Sequence, residues 1–315
     1  MSAANLSPKE AQRSAGSEAQ SWYEATARQR VQWLLDAGSF SEFIGPEQRE
    51  VSPHLPLFDL PQQFDDGIIV GHGSIGGAPV LVAAQEGRFM GGAFGEVHGA
   101  KLTGLLRAAR DVKSIPVLIL FDTGGVRLQE ANAGEVAIAE IIRALIEARA
   151  AGARIIGLIG GRAGCYGGGG LIAGCCSALA ISEQGRISVS GPEVIETNRG
   201  VEEFDSKNRA LVWRTMGGKH RRLLGGADAF TDDTIQGFRD AALRLIGAAS
   251  GFDTEILEAE QGRLEDRLER FGTCADAVDI WQAESVTDAN AVPAMPAEEF
   301  IALANKIREP RYDAR

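Results

Sequence analysis

The segment IIGLIGGRAGCYGGGGLIAGCCSALAISEQGRISVSGPEVI, residues 155–195, decides the fold of this chain. Its first residues, Ile155–Ile159, have the length and β-branched content of a buried strand. A loop with four successive glycines follows. The small residues 171–180 then predict a short helix, and strand character returns at 180–182 and 187–189. Glycines between a buried strand and a helix let the backbone approach a ligand closely and direct N–H groups at it, as a developing oxyanion requires.

Residues 163–182 carry no charge, which raises the question of a membrane span. Six of these twenty residues are glycine, and most of the others are alanine, cysteine or serine. This composition is too weakly hydrophobic for a span. We therefore predict a buried element of a globular protein.

A second junction of the same kind lies about forty residues earlier in the chain. Residues 115–121 (IPVLILF) predict a buried strand that ends in DTGGVR, and a long helix follows over 129–151. In a right-handed parallel array the two loops emerge on the same side of the structure. Amides near Gly124-Gly125 and near Gly167-Gly168 would then converge on one oxygen, and each such donor typically lowers a barrier by about 2.7–4 kcal/mol.

Upstream of these junctions the pattern predicts an amphipathic helix over 21–35 and two paired strands over 67–70 and 79–84. The turn between the strands, GHGSIG at 71–76, is a literal G-x-G-x-x-G. A dinucleotide loop requires a helix after these glycines, whereas here a second strand follows, so we reject that function. His98, at the start of a helix predicted over 97–111, is interpreted as structural.

Composition restricts the class of protein. The chain has 315 residues and a net charge of −11, which argues against a nucleic-acid surface. The N-terminus is polar without an apolar signal region, which indicates a cytoplasmic protein. The four cysteines include no C-x-x-C pair, so their spacing excludes a zinc ribbon. The basic run KHRR at 219–222 is interpreted as a solvated helix face, with a contact for a phosphate or an acidic partner as the alternative.

We expect four regions along the chain. These are a disordered leader (1–20), an N-terminal helix and linker (21–62), an α/β core (63–232) and a C-terminal helical covering layer (233–315).

Several ordered motifs resemble the carboxyltransferases of the crotonase superfamily. They are GSIGGAPVLVAAQEGRFMGGAFGEVHGAKLTGLL at 73–106, FDTGGVRLQE at 121–130, GGGG at 167–170 and SVSGPEVIE at 188–196; TARQRVQWLLDAGSF at 26–40 also resembles an N-terminal element of related subunits. Within that superfamily the chain is most similar to the β subunit of biotin-independent malonate decarboxylase. The features that favour it are GVEEFDSKNR at 200–209, VWRTMGGKHRR at 212–222 and the lack of N-terminal zinc cysteines.

The resemblance implies a crotonase-like ββα spiral and no covalently bound cofactor. It implies a malonyl thioester carried on the dephospho-CoA-type prosthetic group of an acyl-carrier protein, or on CoA. The implied partners are a homologous γ carboxyltransferase subunit, the acyl-carrier protein and an α acyl-carrier-protein transferase subunit. The implied reaction is decarboxylation through an enolate, in which aimed amides suffice without a nucleophile.

The resemblance also implies site residues. The catalytic ones are the amides of Gly124, Gly125, Gly167 and Gly168. The substrate-binding ones are Phe89, Met90, Gly91, Gly92, Val126, Arg127, Gly169, Gly191 and Pro192. The family has two threonines before its second glycine pair, whereas this chain has Cys165-Tyr166 there.

Three other functions stay open at this point. A biotin-dependent acyl-CoA carboxyltransferase subunit, acting on acetyl- or propionyl-CoA, would share most of these motifs. A Cys165 nucleophile would need a histidine within hydrogen-bond reach. A non-catalytic subunit would only dock the partner half.

Overall fold

The structure is a computed structural model that describes residues 20–113, 115–248 and 252–307. All but the last residue of the predicted leader lies outside the described residues. The strands are β1 (Ser41–Glu42), β2 (Ile68–Ile75), β3 (Ala78–Gln85), β4 (Val117–Phe121), β5 (Ile155–Ile159), β6 (Ala178–Ser182) and β7 (Ala229–Thr231). The α-helices are α1 (Ala27–Leu34), α2 (Glu96–Val112), α3 (Asn132–Ala150), α4 (Gly168–Gly174), α5 (Pro192–Arg199), α6 (Arg209–Met216), α7 (Gly218–Leu223), α8 (Ile235–Gly247), α9 (Thr254–Phe271), α10 (Ala277–Ala283) and α11 (Ala297–Ile307).

The strands form one mixed sheet in the order β1 to β7. β1, β2 and β3 pair antiparallel, and β3 to β7 pair parallel. The crossovers from β3 to β4 and from β4 to β5 contain the long helices α2 and α3. Because the carboxyl ends of parallel strands share one edge of a sheet, the loops after β3, β4 and β5 meet there, and ligands bind at this edge in open α/β sheets.

Helices cover both faces of the sheet, because its central strands are apolar on both sides. One face packs on α2 and α3 through side chains such as Val117, Ile119 and Ile155. The other face packs on α1 and α8 through Leu118 and Leu158, among others. The predicted α/β class is confirmed. The division into an N-terminal region, a core and a C-terminal layer stays a prediction, and the structure places α1 and α8 side by side on one face.

Three local predictions differ from the structure. The small-residue helix is α4, which ends at Gly174, so that residues 178–180 belong to β6. Residues 187–189 form no strand, but Ile187 makes an isolated bridge with Cys165. In the segment at 71–76, the first five residues continue β2, and the turn is made by Gly76 and Gly77, both with positive φ.

The basic run at 219–222 is not a solvated face. Lys219, His220 and Arg222 are buried. The Lys219 ammonium donates to Glu183 Oε1 at 3.0 Å and to two backbone carbonyls of the segment before α11. Arg222 donates to Asn305 in α11 at 3.0 Å. The run attaches the C-terminal helices to the core, so the interpretation as a solvated face is wrong, while the alternative of a contact for a phosphate or an acidic partner stays a prediction.

In the described part of the chain, no helix is long and apolar enough to cross a membrane.

Candidate active site at the two glycine junctions

The loops after β4 and β5 lie side by side at the carboxyl edge of the sheet. The amide of Thr123 donates to the Gly164 carbonyl at 2.8 Å, and the amide of Tyr166 donates to the Thr123 carbonyl at 3.0 Å. These bonds extend the parallel pairing of β4 and β5 beyond the ends of both strands. The predicted meeting of the two loops on one side of the sheet is therefore correct.

The two glycine pairs are in direct contact. A Cβ added to Gly167 would lie 3.2 Å from the Gly125 Cα, and a Cβ added to Gly125 would lie 3.6 Å from the Gly167 Cα. Gly125 has φ +125° and Gly167 has φ +57°, conformations that side chains disfavour. The backbones of the two junctions thus lie so close together that side chains at Gly125 and Gly167 would be disfavoured.

The amides of the two pairs have different partners. The Gly124 amide donates to the Gly91 carbonyl at 2.8 Å, and the Gly125 amide donates to Thr123 Oγ1 at 3.1 Å. Among the described residues no oxygen accepts a hydrogen bond from the amide of Gly167 or Gly168. The prediction that all four amides are available to one oxygen therefore needs correction, because the first pair is already hydrogen-bonded within the protein.

The segment at 89–92 forms a wall beside the first junction. Gly91 is exposed, and its carbonyl accepts from Gly124. Gly92, with φ +67°, packs so closely on the end of β4 that a Cβ there would lie 1.7 Å from the Asp122 carbonyl oxygen. Met90 is half-buried. The predicted substrate-binding segment therefore lies at the junction, with Gly91 at the surface.

Arg127 and Phe89 face the interior. The Arg127 side chain is fully buried; its Nη1 lies 3.0 Å from Asp66 Oδ1 and 2.7 Å from Glu130 Oε1. Its guanidinium also covers the Phe89 ring at 5.4 Å. Glu130 accepts from the Glu96 amide at 2.6 Å, at the start of α2. The guanidinium is thus occupied within the protein, and the predicted substrate contact of Arg127 stays a prediction. The residue joins the loop after β4 to α2 and to the segment at 89–92.

The remaining predicted residues surround the second junction or lie next to the first. The Gly169 amide donates to the Tyr166 carbonyl at 3.0 Å, so it belongs to the first turn of α4. A Cβ on Gly191 would lie 4.0 Å from the Tyr166 ring, and Pro192 is buried at the start of α5. Val126 is half-buried and pairs with Phe94. Their roles toward substrate stay predictions.

Three ionisable groups near the junctions, Cys165, Tyr166 and His98, are held in their neutral forms. Burial raises the pKa of the Cys165 thiol well above its ordinary value, and burial also raises the pKa of the Tyr166 hydroxyl. Burial lowers the pKa of His98, whose ring lies 3.1 Å from the Gln85 amide. A buried thiol without a thiolate is a poor nucleophile, which argues against covalent catalysis by Cys165.

Sequence reasoning missed two residues beneath the junction, Asp122 and Arg30. They form a buried ion pair of 2.7 Å between the end of β4 and α1. Arg30 is among the largest fully buried side chains. Two signals were available. One was the charged Asp122 directly after an apolar strand, since such a charge requires a buried partner; the other was the helical spacing of Arg30 with Val31 and Leu34, which are buried on the same face of α1.

Two grooves lie elsewhere on the molecule. One of about 430 Å³ is lined by α2 and by residues around Phe43, and one of about 80 Å³ lies beside Trp281. Neither includes any predicted site residue.

Residues 23–219 match the family described as carboxyl transferase domain. The curated proteins include malonyl-S-ACP:biotin-protein carboxyltransferase MADC of Malonomonas rubra, 37% identical over 91% of this chain and 96% of that protein. The acetyl-coenzyme A carboxylase carboxyl transferase subunit beta of Synechococcus sp. (strain JA-3-3Ab) is 33% identical, but over 56% of this chain and 59% of its own length.

Among solved structures, a Pseudomonas malonate decarboxylase hetero-tetramer in complex with malonate contains a chain that is 37% identical to this one. The match has a TM-score of 0.77 and covers 84% of this chain and 97% of that chain. This likeness confirms the predicted crotonase-like carboxyltransferase fold.

Proposed function

This chain belongs to the carboxyl transferase family, and we propose that it is the β-type subunit of a malonate decarboxylase. In this role it decarboxylates malonyl-S-acyl-carrier protein to acetyl-S-acyl-carrier protein without biotin. The chain is then an enzyme subunit of the carboxy-lyase type, acting on a malonyl thioester.

The observation that carries this proposal is similarity over nearly the whole length. Both malonate-related proteins match this chain almost from end to end, whereas the acetyl-CoA carboxylase subunit matches only about half of it. The matches to the malonate relatives therefore extend beyond the length of the carboxyl transferase match at 23–219. This favours a malonyl thioester over acetyl- or propionyl-CoA as substrate.

The reaction requires that negative charge be held on one oxygen. The bond between the malonyl carboxylate carbon and C2 breaks, CO₂ leaves, and the electron pair moves through C2 to the thioester oxygen as an enolate. A proton delivered to C2 then completes the acetyl thioester. Hydrogen-bond donors aimed at the enolate oxygen stabilise this charge more than they stabilise the substrate, so they lower the barrier.

The amides of Gly167 and Gly168 are the donors that we assign to this oxygen. They have no acceptor among the described residues, and Gly167 lies against the other junction beside the exposed Gly124. Each donor contributes about 2.7–4 kcal/mol by analogy with oxyanion holes of known effect. Gly124 and Gly125 act as the opposite wall, with Phe89, Met90, Gly91, Gly92, Val126, Gly169, Gly191 and Pro192 around it.

We propose that an acyl-carrier protein delivers the substrate. The thioester is attached to the dephospho-CoA-type prosthetic group of an acyl-carrier protein, and a homologous γ subunit completes the site. The related Pseudomonas protein is described as a hetero-tetramer, which supports an assembly of different subunits. An α subunit that transfers the acyl-carrier protein completes the set of proposed partners.

The test is CO₂ release from malonyl-S-acyl-carrier protein. The chain is assayed alone and after reconstitution with the subunits encoded beside it, with and without avidin. We expect release that needs a second subunit and is insensitive to avidin. No release from the reconstituted complex would contradict the proposal.

A second candidate keeps the malonyl thioester but changes the acceptor of the carboxyl group. The name of the Malonomonas rubra relative specifies transfer from malonyl-S-ACP to a biotin protein. In that case the carboxyl group moves to biotin on a carrier protein, and the same acetyl thioester results. CO₂ release blocked by avidin, together with carboxylation of an added biotin-protein, would favour this function over direct decarboxylation.

A further inference from the structure

Asp122 directly follows β4, where the glycine-containing loops after β3 and after β5 approach it. A Cβ on Gly161 would lie 2.2 Å from its Cγ, and a Cβ on Gly87 would lie 2.4 Å from its Oδ1. Its carbonyl is the oxygen that Gly92 approaches. The side chain is 2% exposed, so these glycines make room for a buried carboxylate at the carboxyl end of β4.

The carboxylate is hydrogen-bonded on both oxygens. Oδ2 accepts from the Arg30 guanidinium at 2.7 Å, and Oδ1 accepts from the Ala163 amide at 2.6 Å. Arg30 is itself fixed in α1, because its Nε donates to the Trp22 carbonyl at 2.9 Å and its guanidinium stacks on the Trp22 ring. A chain of polar contacts thus connects the N-terminal helix with the loop after β5.

That loop leads directly to the proposed donors. Ala163 is four residues before Gly167, and the Tyr166 amide is held by the Thr123 carbonyl, next to Asp122. We propose that Asp122 and Arg30 are positioning residues, which fix the loop at 160–166 and thereby the direction of the Gly167 and Gly168 amides. This inference rests on the function proposed above, but its structural part can be tested without activity.

Arg30 is needed because the Asp122 charge is buried. An ionised carboxylate away from water is unfavourable unless it is paired and hydrogen-bonded. Without Arg30 the buried charge has no cation beside it, so the carboxylate moves toward water and its bond with the Ala163 amide weakens. A displacement of a catalytic group by about 1 Å can lower a rate about 100-fold.

The experiment compares Arg30→Met, Asp122→Asn and the double variant in the full chain within the reconstituted complex. The matched control is Arg239→Met. Arg239 lies in α8, outside the glycine loops, and the variant breaks its ion pair with Asp36, which is another contact of the N-terminal segment. Hydrogen–deuterium exchange is followed in peptides covering 160–168, and kcat and KM are measured for malonyl-S-acyl-carrier protein.

We expect each single variant to increase exchange at 160–166 about tenfold, since the hydrogen bond from the Ala163 amide to residue 122 is weakened. We expect kcat to fall about 10- to 100-fold with KM changed less than about threefold. The double variant should be no worse than the worse single one, because the two residues act as a unit.

Unchanged exchange at 160–166 in Arg30→Met, or an equal change in Arg239→Met, would overturn the inference. If Arg30→Met does not fold, Arg30→Lys keeps the charge and should show the same pattern with a smaller amplitude. A wild-type complex that releases no CO₂ would contradict the proposed function alone, and the exchange result would still decide whether the pair positions the loop.

Discussion

The two glycine junctions have similar sequences but different hydrogen bonding. In the first, the amides of Gly124 and Gly125 donate to Gly91 and Thr123. In the second, the amides of Gly167 and Gly168 have no acceptor in the described part of the chain. A strand, a glycine pair and a helix therefore leave hydrogen-bonded amides at one position and amides without an acceptor among the described residues at the other. The two junctions differ in the acceptors beside them, because the Gly91 carbonyl and the Thr123 hydroxyl lie next to the first pair of amides.

The first junction depends on buried charges, and breaking these should produce the largest effect. Arg127→Met leaves the carboxylates of Asp66 and Glu130 buried without a cation. We expect the free energy of unfolding to fall by about 3–5 kcal/mol, measured by urea denaturation. The control is Arg107→Met, which breaks an exposed pair with Glu140 and should change it by less than about 1 kcal/mol. Equal effects of the two variants would show that the buried cluster is not what holds this junction.

The second junction is tested by removing one amide. Gly168→Pro deletes the N–H, and we expect kcat to fall about 100- to 1,000-fold, as for loss of one oxyanion-hole donor. Gly168→Ala is the matched control, because it keeps the N–H. Since its Cβ would lie 2.6 Å from Ile138 Cδ1 and 2.7 Å from Ile138 Cγ1, both Gly168 variants are made in an Ile138→Ala background and compared with Ile138→Ala alone. Activity is measured on the assembled complex, whose assembly is checked by size-exclusion chromatography. Full activity of both variants within an intact complex would mean that the chain only docks its partner.

A smaller effect should follow from releasing an amide of the first junction. Thr123→Val removes the hydroxyl that accepts from the Gly125 amide and leaves a buried N–H without a partner. We expect a loss of about 1–3 kcal/mol in the free energy of unfolding. Thr123→Ser keeps the hydroxyl and should retain most of the stability. If Thr123→Val is as stable as the wild type, the Gly125 amide has another acceptor, and the contrast between the junctions weakens.

The smallest effect is expected at Gly124. It is exposed, and an added Cβ would meet only the Gly91 carbonyl oxygen, at 3.5 Å. Since its amide is already bonded and Ala keeps that amide, Gly124→Ala should change kcat by less than about threefold, an effect below about 1 kcal/mol. A large loss of kcat with unchanged stability would place substrate against this glycine and would reverse the assignment of the two walls.

Much of the fold could be predicted from local sequence. The apolar runs at 117–121 and 155–159 have the period and length of buried parallel strands, and both are strands in the structure. The meeting of the two loops followed from the handedness of parallel connections. The boundary of α4 was misplaced because residues 171–180 are small and apolar throughout, a composition that fits both a buried helix and a buried strand.

The hydrogen bonding of the site could not be predicted in this way. Whether the Gly124 amide is free depends on Gly91, which lies 33 residues away in sequence. The partner of Arg30 is Asp122, at a separation of 92 residues, although helical spacing with Val31 and Leu34 already directs Arg30 inward. Likewise the basic run at 219–222 is buried because distant carbonyls of the C-terminal region accept from Lys219. These contacts are set by tertiary packing, and periodicity carries no information about them.

The assignment of the Gly167 and Gly168 amides is tested most directly by a structure of the assembled complex with a malonyl thioester analogue that cannot lose CO₂. We expect the thioester oxygen to lie about 2.7–3.1 Å from the amide nitrogen of Gly167 or Gly168. We also expect the Gly124 amide to keep its bond with Gly91. A thioester oxygen held by the Gly124 or Gly125 amide, or by the partner subunit alone, would overturn this assignment.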